Sequence, residues 1–228
     1  MAVAFDSATE SHTGTTGSAN EASFTIVHNP VAVPAGVLVF VFTISATKTV
    51  TGVTYDVETV PEVSNGSAVD TATEPGRVDT FFMGSGVNTT DPANVVISRV
   101  NNAIVMYAVS ITVTGAKDMG VTGIVLLQEN QALAEQSVND QSPGANSLRF
   151  AGAYYGGATP APQGASSTQL HTIDFTSFGC SVCRETTAGQ GSRLVGFTAG
   201  SDDVAAVHLA VREALLPPTL LMPPKLSA

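Results

Sequence analysis

The sequence predicts an all-β fold, namely an antiparallel, jelly-roll-like β-sandwich of about 10–12 strands. Hydrophobic residues make up 43% of the 228 residues and charged residues only 12%. The apolar residues are mainly Val and Ala, and the polar ones are mainly Thr, Ser and Gly. Val and Thr are stiff at χ1 and fit a pleated, half-buried surface. Short apolar or alternating runs are separated by turn residues, and runs rich in Leu, Glu and Lys do not occur.

The first half of the chain begins with a strand over 23–28, in which Phe24 and Ile26 share one face. The continuous apolar run over 36–44 predicts a strand that is buried on both faces. The dipeptide Asn65-Gly66 predicts a tight turn. Further strands are predicted over 49–55, 77–83, 94–100 and 104–113.

In the second half, residues 128–135 are expected to form a short helical turn or a loop, and the Gly/Pro-rich residues 156–168 a long loop. A helix over 202–214 is an alternative to the last strand. We prefer a strand, because the run over 205–212 is apolar on both sides, which is typical of a central position. Strands are predicted over 120–127, 147–155, 168–175, 178–185, 193–198 and 205–212.

Three regions are expected along the chain: an extended arm or edge strand over 1–22, the sandwich over 23–214, and a Pro-rich apolar tail over 215–228. Two Pro-Pro pairs exclude helix and central strand in the tail and favour polyproline II. The tail is either a disordered terminus or an arm that packs on a neighbouring subunit. In the second case its large apolar residues make the contacts: Leu215, Leu216, Leu220, Leu221, Met222 and Leu226.

The formal net charge of −10 disfavours binding to nucleic acid and to anionic membranes. The low charge density suggests that part of the surface is buried in an assembly. The N-terminus lacks the features of a signal peptide, and the longest apolar run, 37–42, is too short to span a bilayer. We therefore expect synthesis in the cytoplasm without secretion.

No catalytic centre is recognisable, so we expect no enzymatic activity, no cofactor and no metal. Cys180 and Cys183 form a CxxC in a β context without further zinc ligands. Because positions i and i+3 of a strand point to opposite faces, two free thiols are expected, one buried and one outward. The four histidines lack partners at a recognisable spacing, and His208 is expected to be a hydrogen-bonded core residue.

Two weaker possibilities concern ligands. Asp70, Glu74, Asp79, Asp202 and Asp203 could bind calcium, but no D-x-D-x-D-G loop is present. Tyr154 and Tyr155 could form a small glycan-binding platform beside the loop over 156–168. Packing in the core is the alternative role for these two tyrosines, and the sequence favours it.

The order of segments resembles that of the β-sandwich domains in structural proteins of tailed bacteriophages and prophages. The resemblance rests on five segments, read from the sequence as SFTIVH (23–28), PAGVLVF (34–40), VTGVTY (50–55), EPGRVDTFFMGSG (74–86) and VGFTAGSDDVAAVHLAVREA (195–214). These are strand and turn patterns, so no functional residues can be carried over. The CxxC and the Pro-rich tail depart from the family pattern.

The resemblance implies a virion protein that decorates the capsid or belongs to the tail. Its expected partners are the major capsid or tail protein and copies of itself. The alternative is a receptor- or glycan-binding module displayed on the virion surface.

Overall fold

The structure, a computed structural model, describes residues 3–12, 22–85, 87, 92–100, 105–115, 119–128, 131–140, 147–156, 163–174 and 178–213. Within these ranges every regular element is a β-strand, and all strand pairs are antiparallel. The predicted all-β, antiparallel sandwich is therefore confirmed. The strand preferred over a helix near the end of the domain is also confirmed, because Val204–Glu213 is extended throughout.

The N-terminal half is one long antiparallel hairpin that is rolled up. Its strands are β1 (Ala4–His12), β2 (Ser23–His28), β3 (Gly36–Thr43), β4 (Val50–Tyr55), β5 (Glu58–Thr59), β6 (Glu62–Asp70), β7 (Gly76–Met83), β8 (Ala93–Arg99) and β9 (Met106–Thr114). The pairs are nested, since β1 pairs with β9, β2 with β8, β3 with β7 and β4 with β5. This jelly-roll scheme gives sheet A, in the order β1-β9-β3-β7-β6, and sheet B, in the order β2-β8-β4-β5.

The C-terminal half repeats the same scheme. Its strands are β10 (Met119–Gln128), β11 (Gln131–Ala132), β12 (Gln136–Asp140), β13 (Leu148–Tyr155), β14 (Ser167–Asp174), β15 (Gly179–Glu185), β16 (Gly191–Val195), β17 (Ser201–Asp202) and β18 (Val204–Glu213). Again the pairs are nested: β10 with β18, β11 with β17, β12 with β16 and β13 with β15. Sheet C has the order β10-β18-β13-β15-β14, and two short ribbons, β11-β17 and β12-β16, lie apart from it.

The described residues thus contain eighteen strands, more than the sequence predicts. Three of the additional strands, β5, β11 and β17, are only two residues long and carry no readable periodicity. Of the helical turn or loop expected over 128–135, the described residues 133–135 are loop, Gln128 ends β10, and β11 occupies 131–132. The sequence therefore predicts the class of architecture correctly but underestimates the number of strands.

The sheets are stacked in four layers with three apolar cores between them. Sheets B and A enclose one core, sheets A and C enclose the central core, and sheet C and the two ribbons enclose the third. Sheets A and C are consequently covered on both faces. Six of their strands, β3, β7, β9, β13, β15 and β18, are buried along almost their whole length, whereas β2, β8, β12 and β16 show the alternation of strands with one solvated face. The burial of the run over 36–44 on both faces is confirmed within β3, which ends at Thr43.

The central core requires a very close approach of sheets A and C at Gly152 on β13. A Cβ atom built on Gly152 would lie 2.6 Å from a ring carbon of the buried Phe40 on β3. The Phe40 ring stacks on Phe42 and has little freedom to move away. At this point the Phe40 ring of the N-terminal half packs directly on the backbone of Gly152 in the C-terminal half.

Replacing Gly152 by alanine is expected to lower the free energy of unfolding by about 1–3 kcal/mol, because the added methyl overpacks this core. Chemical denaturation of the purified chain measures the change. The matched control is Gly52→Ala on β4, where no atom lies within 4 Å of the new methyl group. Equal stabilities of the two variants would contradict the close approach of the sheets.

Candidate functional site

One surface feature is an apolar groove between two sheet edges. The edge strand β6 of sheet A lies beside the edge strand β10 of sheet C. Between them is an open depression of about 240 Å³. We call it the edge groove; its lining residues are Val63, Ser64, Phe82, Val121 and Ile124.

The β6 side of the edge groove is shaped by a bulge. Pairing of β6 with β7 shifts between Glu62 and Ser67. Within the bulge Asn65 adopts a left-handed φ of 59°, and a Cβ on Gly66 would lie 2.2 Å from the Thr80 hydroxyl. The sequence-based prediction of a tight turn at Asn65-Gly66 is wrong: the left-handed backbone is present, but it forms a bulge because β6 resumes pairing at Ser67.

The β10 side of the edge groove is an apolar edge strand. In the part of the chain that the structure describes, β10 pairs only with β18. From Gly120 to Gln128 every residue of β10 is only partly buried. A second bulge, with Gly123 at a φ of 64°, interrupts the pairing between Thr122 and Val125. A long apolar edge with unpaired backbone groups is a surface that other chains can pair with or cover.

The two predicted terminal segments differ in their relation to this surface, because β1 and β6 are opposite edges of sheet A. The described part of the expected arm over 1–22 is β1, an edge strand of sheet A. The tail over 215–228 lies outside the described residues, and with it the six predicted contact residues Leu215, Leu216, Leu220, Leu221, Met222 and Leu226. The chain leaves β18 at Glu213, which is paired with Met119 at the start of β10. Glu213, the last described residue, therefore lies next to one end of the edge groove.

A polar cluster ties β1 to the rest of the N-terminal half. The Ser7 Oγ atom lies 3.0 Å from Nε2 of the fully buried His28 and 2.8 Å from the Thr112 hydroxyl. The Thr112 hydroxyl donates to Asp6 at 2.8 Å. The backbone amides of Val31 and Ala32 also donate to the Asp6 carboxylate. Burial lowers the pKa of His28 to about 4, although the Asp6 charge acts in the opposite direction.

Chemically, a serine hydroxyl beside a neutral imidazole is the beginning of a nucleophile–base pair. In a catalytic triad the carboxylate would orient the imidazole, but here the Asp6 carboxylate is engaged by Thr112 and two backbone amides. The Thr112 hydroxyl, 3.1 Å from Nε2, also competes with Ser7 for that nitrogen. The arrangement is best suited to fastening β1, the start of the chain, onto β2 and β9.

A buried ion pair links β13 and β15 in the C-terminal half. Arg149 is fully buried, and its Nη1 atom donates to Glu185 Oε1 at 3.1 Å. The Arg149 guanidinium also donates to the carbonyls of Gly189 and Gly191. Arg193 donates from Nε to the other Glu185 oxygen at 2.9 Å. Burial raises the pKa of Glu185, and the two arginines act in the opposite direction.

Next to this ion pair lies an open polar cleft of about 430 Å³. Hydroxyl groups and the half-exposed Arg193 dominate its lining, so it is able to accept hydrogen-bonding ligands. The lining includes Ser166, Thr186, Thr187, Ser192 and Arg193. Sequence reasoning missed both features, because the pairing that joins Arg149 to Glu185 spans 36 residues.

The exposed glycan platform considered for Tyr154 and Tyr155 is not formed in this structure. Tyr154 is 1% exposed, stacks on Phe178 with a centroid distance of 5.6 Å, and donates its hydroxyl to the Glu74 carbonyl. Tyr155 is partly buried and packs against the core between sheet C and the ribbons. These are the core-packing roles that the sequence favours.

Cys180 and Cys183 point to opposite faces of β15, as the strand geometry predicts, and both are free thiols. The expectation that one of them faces outward is wrong. Both are buried because the ribbons cover the second face of sheet C. Burial raises the pKa of Cys183 to about 12 and that of Cys180 well above its usual value, so both thiols stay protonated and unreactive at neutral pH.

His208 lies in the core, as predicted, but its ring nitrogens have no side-chain hydrogen-bond partner among the described residues. Two of the acidic residues considered for calcium are engaged within the protein: Asp79 accepts from Arg77 and Ser67, and Asp203 accepts from the Glu74 amide. Within the described ranges no group of three or more His, Cys, Asp or Glu residues converges.

No described helix is long and apolar enough to cross a membrane. Comparisons with protein-family models, with curated proteins and with solved structures found no match to this chain.

Proposed function

We propose that the chain is a non-enzymatic structural protein of a bacteriophage virion, which decorates the capsid or forms part of the tail through several subunit contacts. The observation that carries this proposal is the edge groove with its apolar edge strand β10. A partly buried apolar edge strand that pairs on one side only can be covered by another chain, which is useful in an assembly. The major capsid or tail protein and further copies of this chain are the proposed partners.

Two further features support this proposal. The stacking of four layers around three apolar cores makes a rigid body, which suits a protein that transmits contacts within a particle. Charged residues make up only 12% of the chain, which is low for a protein whose whole surface faces water. The sequence resemblance to phage β-sandwich domains points to the virion as the place of assembly.

The test is incorporation into particles. We expect the wild-type chain to co-purify with phage particles through a density gradient, and Val121→Glu in the edge groove to lower its copy number about tenfold or more, because a buried charge at a contact costs at least about 1.4 kcal/mol. Quantitative mass spectrometry of purified particles measures the copy number. The control is Val57→Glu, which places the same charge at a residue that is 88% exposed between β4 and β5.

Absence of the wild-type chain from purified particles would overturn the proposed function. Equal incorporation of the Val121→Glu and Val57→Glu variants would show that the edge groove does not make the contacts to the particle. Melting temperatures of both variants, measured on the free chains, separate loss of docking from loss of folding.

A further inference from the structure

We propose that the edge groove is occupied by the C-terminal segment 215–228 of a neighbouring copy of this chain. This inference rests on the proposed function, because it names the partner that covers the groove during assembly. Three features of the chain support it: the position of Glu213, the sequence beyond Glu213, and the chemistry of the groove.

The described chain ends close to the edge groove. The described chain ends at Glu213, which is paired with Met119, only two residues before the groove residue Val121. Fifteen residues, 214–228, lie beyond this point. In polyproline II geometry they would reach about 46 Å, at about 3.1 Å per residue. The segment is thus attached next to the groove of its own copy, and a reach of this length does not confine it to that copy.

The lining of the edge groove and the side chains of the segment 215–228 are both mainly apolar. Val63, Phe82, Val121 and Ile124 give the edge groove an apolar lining. The segment 215–228 has a single charged side chain, that of Lys225, and five leucines with one methionine. Burying a leucine side chain stabilises a contact by about 1.5–3 kcal/mol relative to leaving it in water. Four prolines lower the conformational entropy that the segment loses when it docks.

The direction in which β18 ends bears on which copy supplies the segment. β18 is antiparallel to β10 and leads the chain past the start of β10. To enter its own groove, the chain would have to reverse direction after Glu213. The pair Pro217-Pro218 opposes this reversal, because the residue before a proline is restricted to extended backbone. This favours the groove of a neighbouring copy over the chain's own groove as the binding site of the segment.

A cysteine cross-linking experiment on full-length chains tests this arrangement. Chains carrying only Leu220→Cys are mixed with chains carrying only Val121→Cys under mild oxidation, and we expect a disulfide-linked dimer of the two variants. The native Cys180 and Cys183 are buried and do not interfere. In the control mixture, Val57→Cys replaces Val121→Cys and should give at least about fivefold less dimer, since random collisions set its yield.

A second preparation carries Leu220→Cys and Val121→Cys in one chain. An intramolecular disulfide in this double variant, without dimer in the mixture of single variants, would overturn the proposal and assign the groove to the chain's own tail. Equal dimer yields with Val121→Cys and Val57→Cys would overturn the edge groove as the binding site. Either result leaves particle incorporation of the wild-type chain, and with it the proposed function, to be judged separately.

Discussion

Replacing Arg149 by methionine is expected to lower the free energy of unfolding by about 3–5 kcal/mol, because it leaves a carboxylate buried without its main partner. Glu185 is 1% exposed, and among the described residues the half-exposed Arg193 would be its remaining charged partner. The substitution also removes the guanidinium that donates to the carbonyls of Gly189 and Gly191. Unpaired buried acceptors add to the loss.

Urea denaturation followed by fluorescence or circular dichroism measures this change. Three variants, Arg149→Met, Glu185→Leu and the combination of both, form a double-mutant cycle. We expect the double variant to be more stable than the sum of the single losses predicts, because it buries no unpaired charge. Simple additivity would contradict the coupling of Arg149 with Glu185.

The matched control is an ion pair on the surface. Lys48 pairs with Glu62, and both side chains are more than a third exposed. Solvent screens such a pair, so Lys48→Met should change the free energy of unfolding by less than about 1 kcal/mol. A loss of similar size at Lys48 and at Arg149 would show that burial does not govern the effect.

This ion pair also shows where sequence reasoning stops. In the segment 147–155, Arg149 is flanked by apolar residues and looks like the polar side of an alternating strand. It is buried because the β12-β16 ribbon covers that face of sheet C, and the pairing partners of β12 lie more than 50 residues away in sequence. The periodicity of a strand can be recognised in the sequence, but whether another layer covers one of its faces cannot.

The same limit explains the other differences. The apolar run over 36–44 reveals burial on both faces by its composition alone, and the structure confirms this for β3. At Asn65-Gly66 the local conformation is predictable, whereas its consequence depends on β7, with which β6 pairs again after the bulge. The edge groove was not predictable, because Val63 and Val121 come together only through the packing of sheet A against sheet C.

Acidification is expected to destabilise the chain through two buried histidines. Burial lowers the pKa of both His28 and His208 to about 4, whereas an unfolded chain has histidines near 6.5. Below pH 6.5 these two histidines are therefore protonated in the unfolded state while they remain neutral in the folded state. The stabilisation from the neutral histidines is complete above about pH 6.5 and is lost progressively as the pH falls towards 4.

Each histidine can contribute at most about 1.4 kcal/mol per pH unit over this window, or about 3 kcal/mol in total at pH 4. The variants His28→Gln and His208→Leu each remove one titrating group, so the free energy of unfolding should fall less steeply between pH 6.5 and 4.5 than in the wild type. Urea titrations at several pH values measure these slopes. Because carboxylates contribute to the slope of every variant, the comparison with the wild type, and not the slope itself, tests the prediction.

For His28 the consequence is local as well as global. Its ring bridges Ser7 on β1 and Thr112 on β9, so a proton taken up there acts on the cluster that holds the first strand of sheet A. We expect hydrogen exchange of the β1 amides to accelerate on acidification before that of β13 or β18, which lie in the middle of sheet C. Uniform acceleration across sheets A and C would show that His28 acts only on global stability and does not loosen the edge of the sandwich.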